Sequence, residues 1–335
     1  MTQPDSFSQE ETLLFTPLPC DALRVRGKDR VSVLHRLLTQ DIRALAPNLG
    51  TESALLNARG KVLALMKVEA FGDSLRISVE QDFGKKTREA LEKLIITEDV
   101  QIESEENLVR IILTGRRART ILETAFSLSL APLRSERFFD LAEFSWGGNA
   151  AVLAEIRPDF FEVLLPASSA PSFEERLVQS EQAAQLSCRD LGGWEVYRIE
   201  HGLAKLGIDI TEEDTLPETG LDGILASGTK GCYPGQEVVA RTNTYSGHAK
   251  KLRVLMFTSQ RVPNPGSPIF SGGGEIGRIT SSCFSARQQK TMSFAYLRRG
   301  HFEIGSKTFL TINGLESETA VLDPRDLRNQ SGRQG

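Results

Sequence analysis

Lys230-Gly231-Cys232-Tyr233-Pro234-Gly235-Gln236-Glu237-Val238-Val239-Ala240-Arg241 is the most informative stretch of this 335-residue chain. Ser227, Gly228 and Gly231 open a loop that carries Lys230 and Cys232. Pro234 fixes φ near about −65°, which suits the first turn of a helix. Residues 236–241 contain no breaker, so a short helix is expected to start near Pro234. Cys232 then sits just ahead of a helix N-terminus, with a lysine two residues away. Both features favour thiolate over thiol, and thiolate is the reactive form. Cys232 and Lys230 are therefore the candidate reactive pair. A buried structural cysteine is the alternative reading, because free Cys is among the most buried residue types.

Composition sets bounds around this stretch. A chain of this length supports two or three domains, each with its own core. Hydrophobic residues at 40% and charged residues at 25% are ordinary for a globular protein. A formal charge of −4 argues against a nucleic-acid-binding role, which needs a clustered positive excess. The basic runs Arg24, Arg26, Lys28, Arg30 and Lys250, Lys251, Arg253 read as solvated faces. Cys20, Cys188, Cys232 and Cys283 are far apart, which suits neither a disulfide scaffold nor a self-contained zinc or iron–sulfur site, so no metal is expected. No run approaches the roughly 18 apolar residues that span a bilayer. The first residues lack the pattern of a secretion signal or transit peptide, so a cytoplasmic protein with no membrane partner is expected. A monomer is the expected state. Residues 1–10 and 331–335 are expected to fray.

Helices and strands are mixed along the first 250 residues. Asp29 is placed to cap a helix with the apolar stripe Val31, Leu34, Leu37, Leu38 and Ile42. Strands are expected at 51–57, 61–71 and 75–79, a helix near 84–94, strands at 100–102 and 108–113, and a helix near 116–126. Strands at 151–156 and 161–165 follow, then helices from Pro171 to Gln185 and from Asp190 through His201. After Leu252, β-rich segments at 252–258, 275–281, 291–297 and 307–312 alternate with Gly and Pro turns, the pattern of a small barrel or sandwich. The fold class is α+β followed by a small C-terminal β-barrel. The expected parts are 1–165, 166–250 and 251–335, arranged around a central cleft.

The Lys-Gly-Cys-Tyr-x-Gly-Gln-Glu run resembles the signature of the YgfZ-type proteins, folate-binding relatives of the glycine cleavage T-protein (aminomethyltransferase) that act in iron–sulfur cluster assembly and repair. The resemblance extends along nearly the whole chain. Val25 to Asp29, Leu38 to Ile42, Leu56 to Val62, Trp194 to Gly202 and Gly277 to Ser281 look like further family blocks, in order. It implies an aminomethyltransferase-like fold, tetrahydrofolate as cofactor, and iron–sulfur assembly proteins or client enzymes as partners. It also implies that Glu200, within Arg-Ile-Glu-His-Gly, binds the pterin. A pterin edge presents adjacent N–H and amino donors, which a carboxylate accepts as a bidentate, charge-assisted pair. The resemblance places an aromatic at the folate site, here Trp194, although six residues on a 3.6-residue helix put it about 240° from Glu200. A core tryptophan is the alternative. Arg198 and Arg241 are candidates for the glutamyl carboxylates of folate, or for structural ion pairs.

One departure from the aminomethyltransferases stands out. Where those proteins carry an Asn-Ala pair and then a catalytic aspartate, this chain reads Val79-Glu80-Gln81-Asp82-Phe83-Gly84-Lys85-Lys86-Thr87, with Thr87 at the aspartate's register. Without that carboxylate, aminomethyl transfer lacks its evident proton-handling group. Whether the chain is an enzyme is thus left open, between a tetrahydrofolate-binding assembly factor and a one-carbon transferase with another catalytic group.

Overall fold

A computed structural model of the chain describes residues 11–131, 137–180, 183, 186–241, 247–305, 307–312 and 314–329. Both ends expected to fray lie outside them. The described chain divides into two units. A sheet unit holds residues up to Leu191 together with Gly223–Gln236, and a barrel unit holds Gly192–Asp222 and the residues from Glu237 onward. The segment 166–250, expected to form a part of its own, is shared between them: its first strand and its Cys232 loop hydrogen-bond to the sheet unit, and 192–222 belongs with the barrel.

The sheet unit comprises β1 (Thr12–Arg26), α1 (Arg30–Leu37), β2 (Leu49–Leu56), β3 (Val62–Ala70), β4 (Leu75–Glu80), α2 (Gly84–Glu92), β5 (Gln101–Thr114), α3 (Ala118–Phe126), β6 (Phe139–Trp146), β7 (Asn149–Arg157), β8 (Phe160–Pro166), α4 (Ala170–Val178) and β9 (Leu186–Arg189). The strand order is β4-β3-β2-β6-β7-β8-β5-β1-β9, and β1 also pairs with β4. Strands β1 to β8 therefore close on themselves, with β9 added in parallel beside Thr12–Phe15.

The long central strand β1 is absent from the sequence reading, because Pro17 and Pro19 argue against a paired strand. The structure accommodates them in a gap. β9 pairs only as far as Phe15 and β4 only from Cys20, while the register with β5 shifts between Phe15 and Leu18. The expected strands 100–102 and 108–113 are one strand, β5. The polar run between them is absorbed where the register slips between Cys20 and Ala22. Leu34, Leu37, Leu38 and Ile42 of the α1 stripe are buried as expected and Val31 is half-buried, but the helix ends at Leu37 with Leu38 extended, and Ile42 begins a 3-10 turn. Asp29 makes no side-chain cap bond; its carboxylate accepts from the Asp99 amide at 2.9 Å. The helix from Pro171 stops at Val178; part of its expected remainder, including Gln185, lies outside the described residues, and Leu186 already belongs to β9.

Two apolar cores flank the closed sheet. One joins Leu34, Leu37, Leu38 and Ile42 to Val68, Ile77 and Leu91; the other joins Ile121, Leu122, Phe173 and Leu177 to Ile111, Leu153 and Phe161. Alternation along the strands turns the opposite faces together, and these carry charge. Arg110 pairs with Glu80 at 3.0 Å, Arg76 with Glu105 at 2.8 Å, and Lys67 with Glu162. Arg24 pairs with Glu105 and lies over the Phe71 ring, so it is a half-buried strut rather than part of a solvated face.

The chain continues through α5 (Leu191–Glu200), α6 (Leu216–Thr219), α7 (Asp222–Leu225) and α8 (Gln236–Arg241). The barrel strands are β10 (Lys250–Phe257), β11 (Pro268–Ser271), β12 (Gly274–Ser285), β13 (Lys290–Arg298), β14 (Lys307–Ile312) and β15 (Leu315–Leu322), before α9 (Pro324–Asn329). They close in the order β10-β13-β12-β11-β14-β15 around Leu255, Ile279, Leu297 and Val321. The barrel expected from the Gly and Pro punctuation is present. Short β11, opened by Pro268, and β15 complete it. Arg253, expected on a solvated face, is buried and faces Asp323. Among the described residues, no helix is long and apolar enough to cross a membrane.

Candidate functional site

The Cys232 loop is held to the sheet unit by hydrogen bonds that the sequence alone does not announce. The Thr39 hydroxyl donates to Leu225 O at 2.6 Å, the Gln40 side-chain amide to Ile224 O at 3.1 Å, and the Ser227 amide to Thr39 O at 3.0 Å. Lys230 completes the joint. Its buried ammonium donates to the carbonyl oxygens of His35, Leu38 and Gln40, and lies 5.2 Å from the centroid of the Tyr233 ring. These are the orphan carbonyls at and beyond the end of α1, which a cation satisfies well. Burial lowers the lysine's pKa to about 8. Lys230 thus acts as an anchor for the loop.

The helix geometry expected around Cys232 also differs. Gly235 has φ +79°, a left-handed conformation that breaks the run between Pro234 and the helix. A Cβ at Gly235 would meet Asn57 O at 2.6 Å and Gly60 Cα at 2.7 Å, so close packing on the β2–β3 turn demands glycine as well. Helix α8 starts at Gln236 and has six residues, so Cys232 lies four residues ahead of it, beyond reach of a helix-terminus effect. Cys232 itself is exposed. The buried-cysteine alternative belongs to Cys20 and Cys283, whose thiols burial pushes up to about 11 and about 12.

Trp194, Arg198 and Glu200 are carried by α5 in the barrel unit. Trp194 is half-buried and stacks on Tyr197, with centroids 5.9 Å apart, and Tyr197 stacks on His201 at 3.9 Å. The aromatic stripe follows i, i+3 and i+4 spacing, so Glu200 lies off it, as the helical angle requires.

Arg198 is 2% exposed and fully engaged, donating to Glu195 Oε2 and Asp209 Oδ2, both at 2.6 Å. That is the structural ion pair, and it leaves no guanidinium face for a folate tail. Arg241, in contrast, is exposed, and its ion-pair partner among the described residues is the i,i+4 Glu237 at 2.5 Å.

Glu200 is 8% exposed, and neither carboxylate oxygen has a hydrogen-bond donor among the described residues. Burial raises its pKa, against smaller lowering influences from Arg287 and from the Ser285 hydroxyl, which lies near the carboxylate without meeting hydrogen-bond geometry. The same charge helps to raise the Cys283 thiol. A desolvated carboxylate without partners is costly, about 1–3 kcal/mol or more, and such groups are uncommon unless a ligand satisfies them.

At the register of the expected aspartate, Thr87 is buried in α2 with its hydroxyl unpartnered among the described residues. Asp82 is exposed, in a left-handed conformation at φ 72°. No carboxylate occupies the Thr87 position.

Asp209 was not singled out from the sequence. It is buried and accepts four hydrogen bonds: from Arg198, the Lys205 amide, and the hydroxyls of Thr280 and Ser281. Its only advance signal was that Thr280 and Ser281 close the Gly277-Arg278-Ile279-Thr280-Ser281 run.

Comparison with solved proteins defines the class. The crystal structure of glycine cleavage system aminomethyltransferase T from Bartonella henselae matches with a TM-score of 0.81, over 96% of this chain and 88% of that one, at 19% identity. The fold is therefore aminomethyltransferase-like with a six-stranded C-terminal barrel. The GCVT N-terminal domain model matches residues 14–228, and the glycine cleavage T-protein C-terminal barrel domain model matches residues 250–325. The chain belongs to the glycine cleavage T-protein family. Its relatives include the mitochondrial aminomethyltransferase of Dictyostelium discoideum, 23% identical over 91% of this chain and 79% of the relative. The tRNA-modifying protein YgfZ of Hamiltonella defensa is 28% identical over 74% of this chain and 70% of the relative.

Proposed function

We propose that this protein binds tetrahydrofolate, with the pterin edge on Glu200. The observation that carries the reading is the buried Glu200 carboxylate, neither of whose oxygens has a donor among the described residues. A pterin's adjacent ring N–H and amino group supply two donors in the geometry that one carboxylate accepts. The solvated guanidinium of Arg241 is available to a glutamyl carboxylate, because its exposed pair with Glu237 is worth little. The aromatic stripe from Trp194 offers a flat apolar surface. For the use made of folate, the several relatives named aminomethyltransferase support one-carbon, aminomethyl transfer. In that reaction bound folate is the one-carbon acceptor, and this chain's residues bind and orient it.

A second reading is favoured by one specific observation. Cys232 is exposed on a loop tethered by buried Lys230, within a run that resembles the YgfZ-type signature. It makes the protein a tetrahydrofolate-binding factor for assembly or repair of iron–sulfur clusters in client enzymes. Thr87 at the aspartate register supports the same reading. One experiment separates the two. Purified protein is mixed with tetrahydrofolate and a lipoyl donor carrying methylamine, and methylenetetrahydrofolate is measured. Turnover supports transfer. Binding without turnover, together with loss of iron–sulfur enzyme activity in cells carrying Cys232→Ser, supports the assembly factor. Absence of folate binding overturns both.

A further inference from the structure

Glu200 owes its position to a joint that none of the folate arguments uses. Arg198, two residues earlier on α5, is held by Asp209 Oδ2 at 2.6 Å, and the Lys205 amide reaches the same oxygen at 3.0 Å. The other oxygen of Asp209 accepts from Thr280 Oγ1 at 2.7 Å and Ser281 Oγ at 2.6 Å. Neighbouring strand residues ordinarily point to opposite faces, so two consecutive side chains do not reach one acceptor atom. Here the register of β12 against β13 slips: Ile279 opposes Ala295 and Ser281 opposes Phe294, leaving Thr280 as the extra residue of a β-bulge. Bulges re-aim side chains in this way. The bulge delivers both hydroxyls to Asp209, and the same strand continues to Cys283, whose thiol the Glu200 charge helps to raise, and to Ser285, whose hydroxyl helps to lower the Glu200 pKa. A single buried carboxylate thus ties the helix that carries Glu200 to the strand that walls it.

We infer that Asp209 is a positioning residue for the Glu200 ligand site: with Arg198 and the Thr280–Ser281 bulge it sets where the Glu200 carboxylate stands. The inference rests on the folate reading of Glu200 and adds to it the element that makes the carboxylate's position definite. Two parallel hydrogen bonds to a pterin tolerate little displacement, so a binding carboxylate needs supporting groups whose own geometry is fixed. A buried Arg–Asp pair is weak grounds for stability by itself, and a role in holding one arrangement fits it better.

The test is a double-mutant cycle on tetrahydrofolate affinity, measured by calorimetry, with Glu200→Gln, Asp209→Asn and the double variant. Asparagine keeps the size of Asp209 but turns one acceptor into a donor facing Arg198 or the two hydroxyls. Asp209→Asn should weaken tetrahydrofolate about tenfold, while the double variant binds no more weakly than Glu200→Gln alone, since both changes remove the same contact. Binding of p-aminobenzoylglutamate, which lacks the pterin, should not change in Asp209→Asn, a result that a merely structural role would not give. Losses that add in the double variant, or an Asp209→Asn that binds like the wild type, overturn the inference while leaving Glu200 in place. A Glu200→Gln variant with wild-type affinity instead overturns the folate reading itself. Should Asp209→Asn fail to fold, Ser281→Ala takes its place in the cycle. It removes one donor, leaves the ion pair intact, and should weaken tetrahydrofolate two- to threefold by the same non-additive pattern; an additive or absent effect overturns the inference equally.

Discussion

Glu200→Gln is expected to make the protein more stable and less able to bind folate. The stability gain follows from burial. The carboxylate is 8% exposed, has no donor among the described residues, and has its pKa raised chiefly by desolvation. An amide of the same size removes the buried charge while leaving the packing unchanged, so unfolding free energy at neutral pH should rise by about 1 kcal/mol, the low end of the cost of an unsatisfied buried group. That corresponds to a melting shift of roughly 2–4 °C for the transition of a unit this size. The affinity loss follows from the pterin pair. Each hydrogen bond to a charged acceptor is worth about 1.5–3 kcal/mol, so losing the equivalent of one weakens binding roughly 10- to 150-fold. Both quantities come from one purified variant, by calorimetric unfolding and by titration with tetrahydrofolate. A Glu200→Gln variant that is less stable than wild type would refute the reasoning, because it would mean the carboxylate already has a structural partner.

Further outcomes follow from the same geometry. Tetrahydrofolate affinity should rise with pH through the elevated pKa of Glu200 and level off above it, since binding needs the carboxylate and burial favours the carboxyl; Glu200→Gln should flatten this profile in titrations across pH. By linkage, the folded state holds the Glu200 proton more tightly than the unfolded chain, so the residue's contribution to stability declines as pH rises from the usual glutamate range through that elevated value. Arg198→Ala strands Asp209 as a buried unpaired charge and should cost about 3–5 kcal/mol in denaturant unfolding, whereas Arg241→Ala should change stability by less than about 0.5 kcal/mol. Iodoacetamide at neutral pH should label Cys232 first: Cys188 is exposed but its thiol is raised by burial and Glu174, and Cys20 and Cys283 are buried. Lys230→Met should speed amide exchange over 224–235 without slowing Cys232 alkylation; slowed alkylation would return Lys230 to a thiol-tuning role.

Much of this architecture was legible in the residues, and the failures have physical causes. The α1 stripe and the Gly- and Pro-punctuated barrel read correctly because burial imposes a period that local sequence displays. β1 was missed because Pro17 and Pro19 are tolerated only through the staggered ends of β4 and β9, a tertiary fact. Glu200 was legible through the run around it, but the orphaned state of its carboxylate was not, since that depends on what the barrel fails to offer. Lys230 was legible as a motif residue but its anchoring contacts were not: the carbonyls it satisfies lie about 190 residues earlier in the chain. Asp209 had no local signal, because two of its four donors, Thr280 and Ser281, are brought to it only through a β-bulge in another element.

A structure of the protein with tetrahydrofolate tests the central claim most directly. The account predicts the pterin's ring N–H and amino group each within about 3 Å of a different oxygen of Glu200. A pterin bound away from Glu200, with that carboxylate still lacking a donor, would contradict it.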